Sequence, residues 1–152
     1  MPKTVATVVC VLIMGTGVLA QKGTRYGIET NLEDYPQATA KVALESVLKA
    51  IDNKKIDYLL SQLADPAWVD NRVKTIHGGK FDAMVKETTN QFAKDPTAIK
   101  QLRRLLQEGE WKEEDAAASA CLKDAKDTCV FLRKIEGRWF LEDRKKAEAS
   151  GK

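Results

Sequence analysis

The chain reads as an α+β protein, with helices in its N-terminal part packed on a C-terminal antiparallel meander of about three to four strands. Two observations predict this. Residues 116–144 (AAASACLKDAKDTCVFLRKIEGRWFLEDR) alternate in polarity and are rich in β-branched and aromatic side chains toward their end. Residues 37–107, by contrast, carry apolar side chains at helical spacing. Runs of helices followed by runs of strands place the two kinds of element in separate layers.

The sheet is the more closely specified part. Residues 128–135 and 138–144 are separated by Glu136-Gly137, a two-residue turn of the primed type that needs positive φ. That turn sets Lys134 opposite Trp139, Arg133 opposite Phe140 and Leu132 opposite Leu141. Alternation then gives Val130, Leu132, Trp139 and Leu141 one apolar face, assigned to the core. Phe131, Arg133, Ile135, Phe140 and Glu142 share a mixed face. A charged turn over residues 123–127 joins the strand at 116–122 and places Cys121 across from Cys129. Opposed residues of this kind come close enough for a disulfide. The alternative is two small buried thiols.

Residues 1–20 are set apart as a secretory signal peptide. Lys3 gives a basic start, residues 5–14 (VATVVCVLIM) are an unbroken apolar run, and Val18-Leu19-Ala20 offers small residues for cleavage. The run is shorter than the ~20 residues that span a bilayer comfortably. The rival reading is an uncleaved anchor. Cys10 leaves with the signal, so Cys121 and Cys129 remain as an even pair in an oxidising, secreted or periplasmic compartment. Residues 21–36 read as an extended leader that Tyr26, Ile28 and Tyr35 pin to the body, and residues 147–152 as a disordered tail.

Residues 37–52 are the clearest helix, with Ala40, Ala43, Leu44, Val47, Leu48 and Ile51 on one stripe. Lys41, Glu45 and Lys49 lie opposite, spaced for ion pairing. A shorter helix follows over 55–63. Asp65-Pro66 and Asp95-Pro96 both look like an N-cap with proline at the first helical position. They open a third helix over 67–76 and a fifth containing Ile99, Leu102, Leu105 and Leu106. A fourth covers 81–92, after Gly78-Gly79. Residues 110–112 begin the sheet around Trp111.

Charge excludes one function class. The chain has 25 Lys and Arg against 22 Asp and Glu, a net +3 with the signs mixed, so no basic stripe marks a nucleic-acid surface. His77 is the only histidine and reads as an exposed helix-terminal residue. One histidine without a free thiol pair does not assemble an ordinary zinc site. Neither a G-x-S-x-G elbow nor a phosphate loop occurs. Acid–base chemistry would need a pocket carboxylate beside a hydrogen-bond donor, for which Asp57 with Tyr58, Asp70 with Arg72, and Asp82 are the suppliers. Surface carboxylates on amphipathic helices are the plainer reading of all three. Tyr58, Trp68 and Trp139 are the candidate pocket-lining residues, with core packing the competing role for Trp68 and Trp139.

Two stretches carry a family resemblance. ALESVLKAIDNKKIDYLLSQLADP gives a helix, a short break and a second helix, and VFLRKIEGRWFLEDR gives two strands around a Gly and a Trp. In these the chain resembles the NTF2-like (SnoaL-like, cystatin-like cone) superfamily, with residues 37–146 as the domain. Residues 67–107 read as helical where that family carries strand material. The resemblance implies a curved sheet wrapped around helices, a pocket at the open end, and dimerisation through the outer sheet face. Members of that superfamily include both enzymes and non-catalytic binders, and fold alone does not choose among them. With a signal peptide and no catalytic motif, the chain reads as a secreted, non-catalytic ligand-binding or protein-interaction module. The alternative is a cofactor-independent isomerase, dehydratase or hydrolase acting on an apolar substrate. Expected partners are a small apolar ligand and a second copy of the chain. No cofactor, no metal, no nucleic acid and no stable membrane insertion after signal cleavage are expected.

Overall fold

The computed structural model describes residues 23–144. The segments read as signal peptide (1–20) and tail (147–152) lie outside them. Helices fill the first two thirds and a four-stranded antiparallel meander closes the chain. β1 (Thr24–Arg25) and β2 (Ile28–Glu29) form a small hairpin within the segment read as an extended leader. Its turn, Tyr26-Gly27, takes φ of 52° and 78°, the primed geometry that matches strand twist.

α1 (Ala40–Asp52) starts later than periodicity suggests, because Thr39 caps it by accepting from Val42 N at 3.2 Å. Its expected stripe faces inward, with Ala40, Ala43, Leu44 and Val47 buried. Lys49 pairs with Asp34 rather than Glu45, its Nζ donating to Asp34 O at 2.7 Å. The stretch read as one second helix divides into α2 (Ile56–Tyr58) and a π-helical turn (Leu59–Leu63), closed by Ala64 N donating to Leu59 O. Both Asp-Pro pairs mark helix starts, Pro66 as the first residue of its helix and Pro96 one position ahead of its own. Asp65 accepts from Ala67 N ahead of α3 (Pro66–Thr75), and Asp95 accepts from Thr97 N ahead of α5 (Thr97–Glu108). α4 is Phe81–Lys94.

The meander runs β3 (Glu110–Glu113), β4 (Ala117–Cys121), β5 (Cys129–Ile135) and β6 (Arg138–Glu142), each paired with its neighbour in sequence. Leu132 faces Leu141, Arg133 faces Phe140 and Lys134 faces Trp139, across a turn with Glu136 and Gly137 at φ of 49° and 81°. Cys121 faces Cys129 and the two are bonded. Val130, Leu132 and Trp139 lie buried with Ala118 and Ala120. These small residues let α1 and α5 approach the inner face. Gly109 is part of that fit, since a Cβ there would stand 2.3 Å from Leu105 O and 3.2 Å from Ala120 Cβ. On the mixed face Phe131 and Phe140 are buried and Arg133 is exposed.

A buried polar lock joins these layers. Gln37 continues the β6 edge: its carbonyl accepts from Trp139 N at 3.1 Å and its Nε2 donates to Trp139 O at 2.7 Å. Gln62, 1% exposed, donates to Ile28 O at 2.7 Å and Gly23 O at 3.1 Å, and accepts from Thr30 Oγ1 at 2.8 Å.

Two outcomes are expected. Gln62→Leu strips buried carbonyls of a donor and lowers the unfolding free energy by about 1–3 kcal/mol in chemical denaturation. Cys121→Ser/Cys129→Ser opens a short covalent loop and costs about 2–3 kcal/mol, read as a drop in Tm that a reductant reproduces in the wild type.

Candidate functional site

The helices do not close over the sheet completely. α4 rests on α2, whereas α5 rests on α1, β4 and β5. The gap they leave is a cleft of about 380 Å³ at the end of the β5–β6 hairpin. Its walls combine apolar side chains with a small number of polar ones, as small-molecule sites do.

Helical spacing places the wall residues. Trp68 and Arg72 are four apart on α3 and share a face, with the Arg72 guanidinium 5.7 Å from the Trp68 ring centre. Glu87 and Gln91 are four apart on α4, and Gln91 Nε2 donates to Glu87 Oε1 at 3.1 Å. Phe92 and Leu102 face the same space from α4 and α5, and Leu59 and Leu60 from the π-helical turn. The cleft reaches around the sheet corner. Val130 and Leu141 belong to the inner face, Phe131 and Glu142 to the outer. Glu142 is held by Arg133 at 3.2 Å and Arg144 at 2.6 Å, and Arg144 lies 4.8 Å over the Phe131 ring.

His77 is a correction to the sequence reading. Its side chain is only 8% exposed, and Nε2 sits 3.1 Å from Glu87 Oε2, out of line for a hydrogen bond. Gly78 and Gly79, at φ of 59° and 83°, turn the chain from α3 into α4, whose Glu87 comes back to the imidazole. His77 therefore stands behind a cleft carboxylate instead of in solvent.

Of the three residues proposed from sequence as pocket-lining, Trp68 is on the cleft wall. Tyr58 is buried elsewhere, its hydroxyl donating to Asn31 O and accepting from Asn31 N, and burial raises its pKa. Trp139, 1% exposed, is core. The candidate acids go to other tasks. Asp57 accepts from its neighbour Tyr58 N. Asp82 borders a second depression of about 490 Å³, shared with Asp57, Lys54, Lys55 and Lys86. That depression lacks an aromatic wall. Asp70 holds the β1–β2 hairpin, accepting from Arg25 Nη2 at 2.5 Å and Tyr26 Oη at 2.6 Å. Glu87, Glu142 and Arg144 were not singled out in the sequence. The i,i+4 pairs Trp68/Arg72 and Glu87/Gln91, on helices joined by a Gly-Gly turn, are the signal that could have found Glu87.

The hairpin braces the cleft from outside. Tyr26 stacks on Phe81 at the start of α4, ring centres 4.1 Å apart and planes within 4°, while its hydroxyl reaches Asp70 on α3. One tyrosine thus ties together the two helices that carry the polar wall.

Comparison of the chain with protein-family models, curated proteins and solved structures returns no match.

Burial, with the hydrogen bond and negative charge of Asp70 adding to it, pushes the Tyr26 hydroxyl up to about 12 from 10.0. The folded value lies above the unfolded one, so the Tyr26 contribution is complete below 10.0 and is lost as pH rises through about 12. A tyrosinate absorbance titration should show a component with a midpoint near 12 that disappears in Tyr26→Phe.

Proposed function

We propose that the protein is a secreted NTF2-like module that binds a small, largely apolar molecule in the cleft between α3, α4 and the end of the β5–β6 hairpin. It acts as a binder and does not convert its ligand. The observation that carries this reading is the cleft itself: Leu59, Leu60, Trp68, Phe92 and Leu102 supply apolar wall, and Arg72, Glu87 and Gln91 supply convergent polar groups. The NTF2-like assignment is supported by helices packed on one face of a four-stranded antiparallel meander. It extends to the two ends of the domain, because α3, α4 and α5 follow one another without an intervening strand. Secretion is supported by the Cys121–Cys129 bond and by the apolar run at residues 5–14. No helix among the described residues is long and apolar enough to cross a membrane. The outer sheet face favours a partner chain less than the cleft favours a ligand, since Phe131 and Phe140 are already covered by Arg144 and Arg138.

A second reading has one observation in its favour. Glu87 lines the cleft with His77 at 3.1 Å behind it. A cofactor-independent isomerase, dehydratase or hydrolase would use Glu87 as its base and His77 to hold it.

Titration with N-phenylnaphthylamine, a neutral apolar fluorophore, should give saturable one-to-one binding. Phe92→Ala and Trp68→Ala should each weaken it about tenfold, the worth of one lost aromatic contact. The absence of saturable binding, or binding indifferent to both substitutions, overturns the reading. Molecules retained through purification from a host extract, identified by mass, separate the two readings. Recovery unaltered supports the binder, and alteration that Glu87→Gln abolishes supports the enzyme.

A further inference from the structure

The cleft has more hydrogen-bond donors to offer than it uses, and the surplus identifies the polar end of its ligand. Arg72 projects from α3 with its side chain 32% exposed. Its closest carboxylate oxygen, Glu87 Oε1, is 3.8 Å from Nη2, beyond hydrogen-bonding distance. The guanidinium also lies over Trp68, and its N–H fork makes no hydrogen bond among the described residues, its one carboxylate partner being Glu87 in the 3.8 Å ion pair. Arg144 is committed by comparison, since its Nη2 holds Glu142 at 2.6 Å and its Nε is buried away from the cleft.

The acids around the cleft are better occupied. Glu142 takes Arg133 and Arg144 together. Glu87 accepts from Gln91 and has His77 beside it. Asp143 stands exposed at the rim, where water screens it. Unmet demand in the cleft is therefore for an acceptor. A cationic head would meet Arg72, and the acid within its reach that is unpaired among the described residues, Asp143, lies at the water-screened rim. A planar carboxylate matches the guanidinium fork bidentately, next to an apolar wall that suits a hydrocarbon or aryl body.

Resting on the binding reading above, we propose that the ligand is a small amphipathic carboxylic acid, its carboxylate on Arg72 and its apolar body along Phe92, Leu102 and Leu60. Arg72 is the residue that distinguishes an acid from a neutral molecule of the same shape.

Calorimetric titration of the full chain with decanoate and with decanol tests this. The two share a chain and differ in the head. Wild type should bind decanoate about tenfold or more tighter than decanol. Arg72→Gln should remove that preference by weakening the acid and leaving the alcohol unchanged. Arg72→Lys, which keeps charge but not the fork, should restore only part of it. Equal binding of acid and alcohol by wild type overturns the proposal and leaves the apolar cleft standing. So does a preference that survives in Arg72→Gln. Binding of neither compound, nor of the neutral fluorophore, overturns the binding reading as well. The wild-type comparison decides the question even where a variant fails to fold.

Discussion

Two glutamine side chains hold the layers of this protein together. Gln37 and Gln62 lie at the β6 edge, where an unpaired strand would otherwise expose donors and acceptors to solvent or to another chain. Gln37 supplies both halves of a strand-like pairing, carbonyl to Trp139 N and Nε2 to Trp139 O, and its Nε2 also donates to Gln62 O at 3.2 Å. Gln62 in turn ties the N-terminal hairpin down through Ile28 O, Gly23 O and Thr30. Arg138 caps the arrangement by donating to Gln37 Oε1 at 2.6 Å. Its partners here are neutral amide oxygens, and burial lowers its pKa. Each amide atom in the lock has a partner. A satisfied buried network of this kind costs little to keep and much to break.

The π-helical turn is what makes the lock geometrically available. Its wide i→i+5 closure lets successive residues Ser61, Gln62 and Leu63 all be buried, which an α-helical surface turn of the same length would not do. Ser61 O receives Arg25 Nε at 3.0 Å, so the same turn also anchors β1. Leu59 and Leu60, at its start, then form the floor of the cleft. The element that stabilises the hairpin on one side therefore shapes the cleft wall on the other.

Guanidinium groups stacked on aromatic rings recur around the cleft and the adjoining sheet face: Arg72 on Trp68, Arg144 on Phe131, Arg138 on Phe140. Stacking covers the ring and fixes the guanidinium plane while leaving its edge for hydrogen bonds. Arg138 and Arg144 spend that edge within the protein. Arg72 does not, and this separates a cation that serves structure from one free to meet a ligand.

Much of the architecture could be read from the chain alone. The α1 stripe, the two Asp-Pro caps, the Glu136-Gly137 turn and the facing of Cys121 and Cys129 are set by local chemistry and short-range register. Such features depend on residues a few positions apart, which a sequence displays directly. Of the site, the sequence singled out Trp68 and, as a companion to Asp70, Arg72. The site's other groups meet because the Gly78-Gly79 turn brings Glu87 of α4 to Arg72 and His77 and because α4 and α5 lean on different neighbours. The same folding turned His77 from a surface residue into the buried backing of Glu87, and it placed Gln62, an unremarkable polar residue in sequence, at the centre of the core's only amide lock among the described residues. Local pattern determined which segments are helix and which are strand. Which polar side chains face the cleft, and which are consumed holding the fold, depended on contacts between residues tens of positions apart, and only tertiary packing decides those.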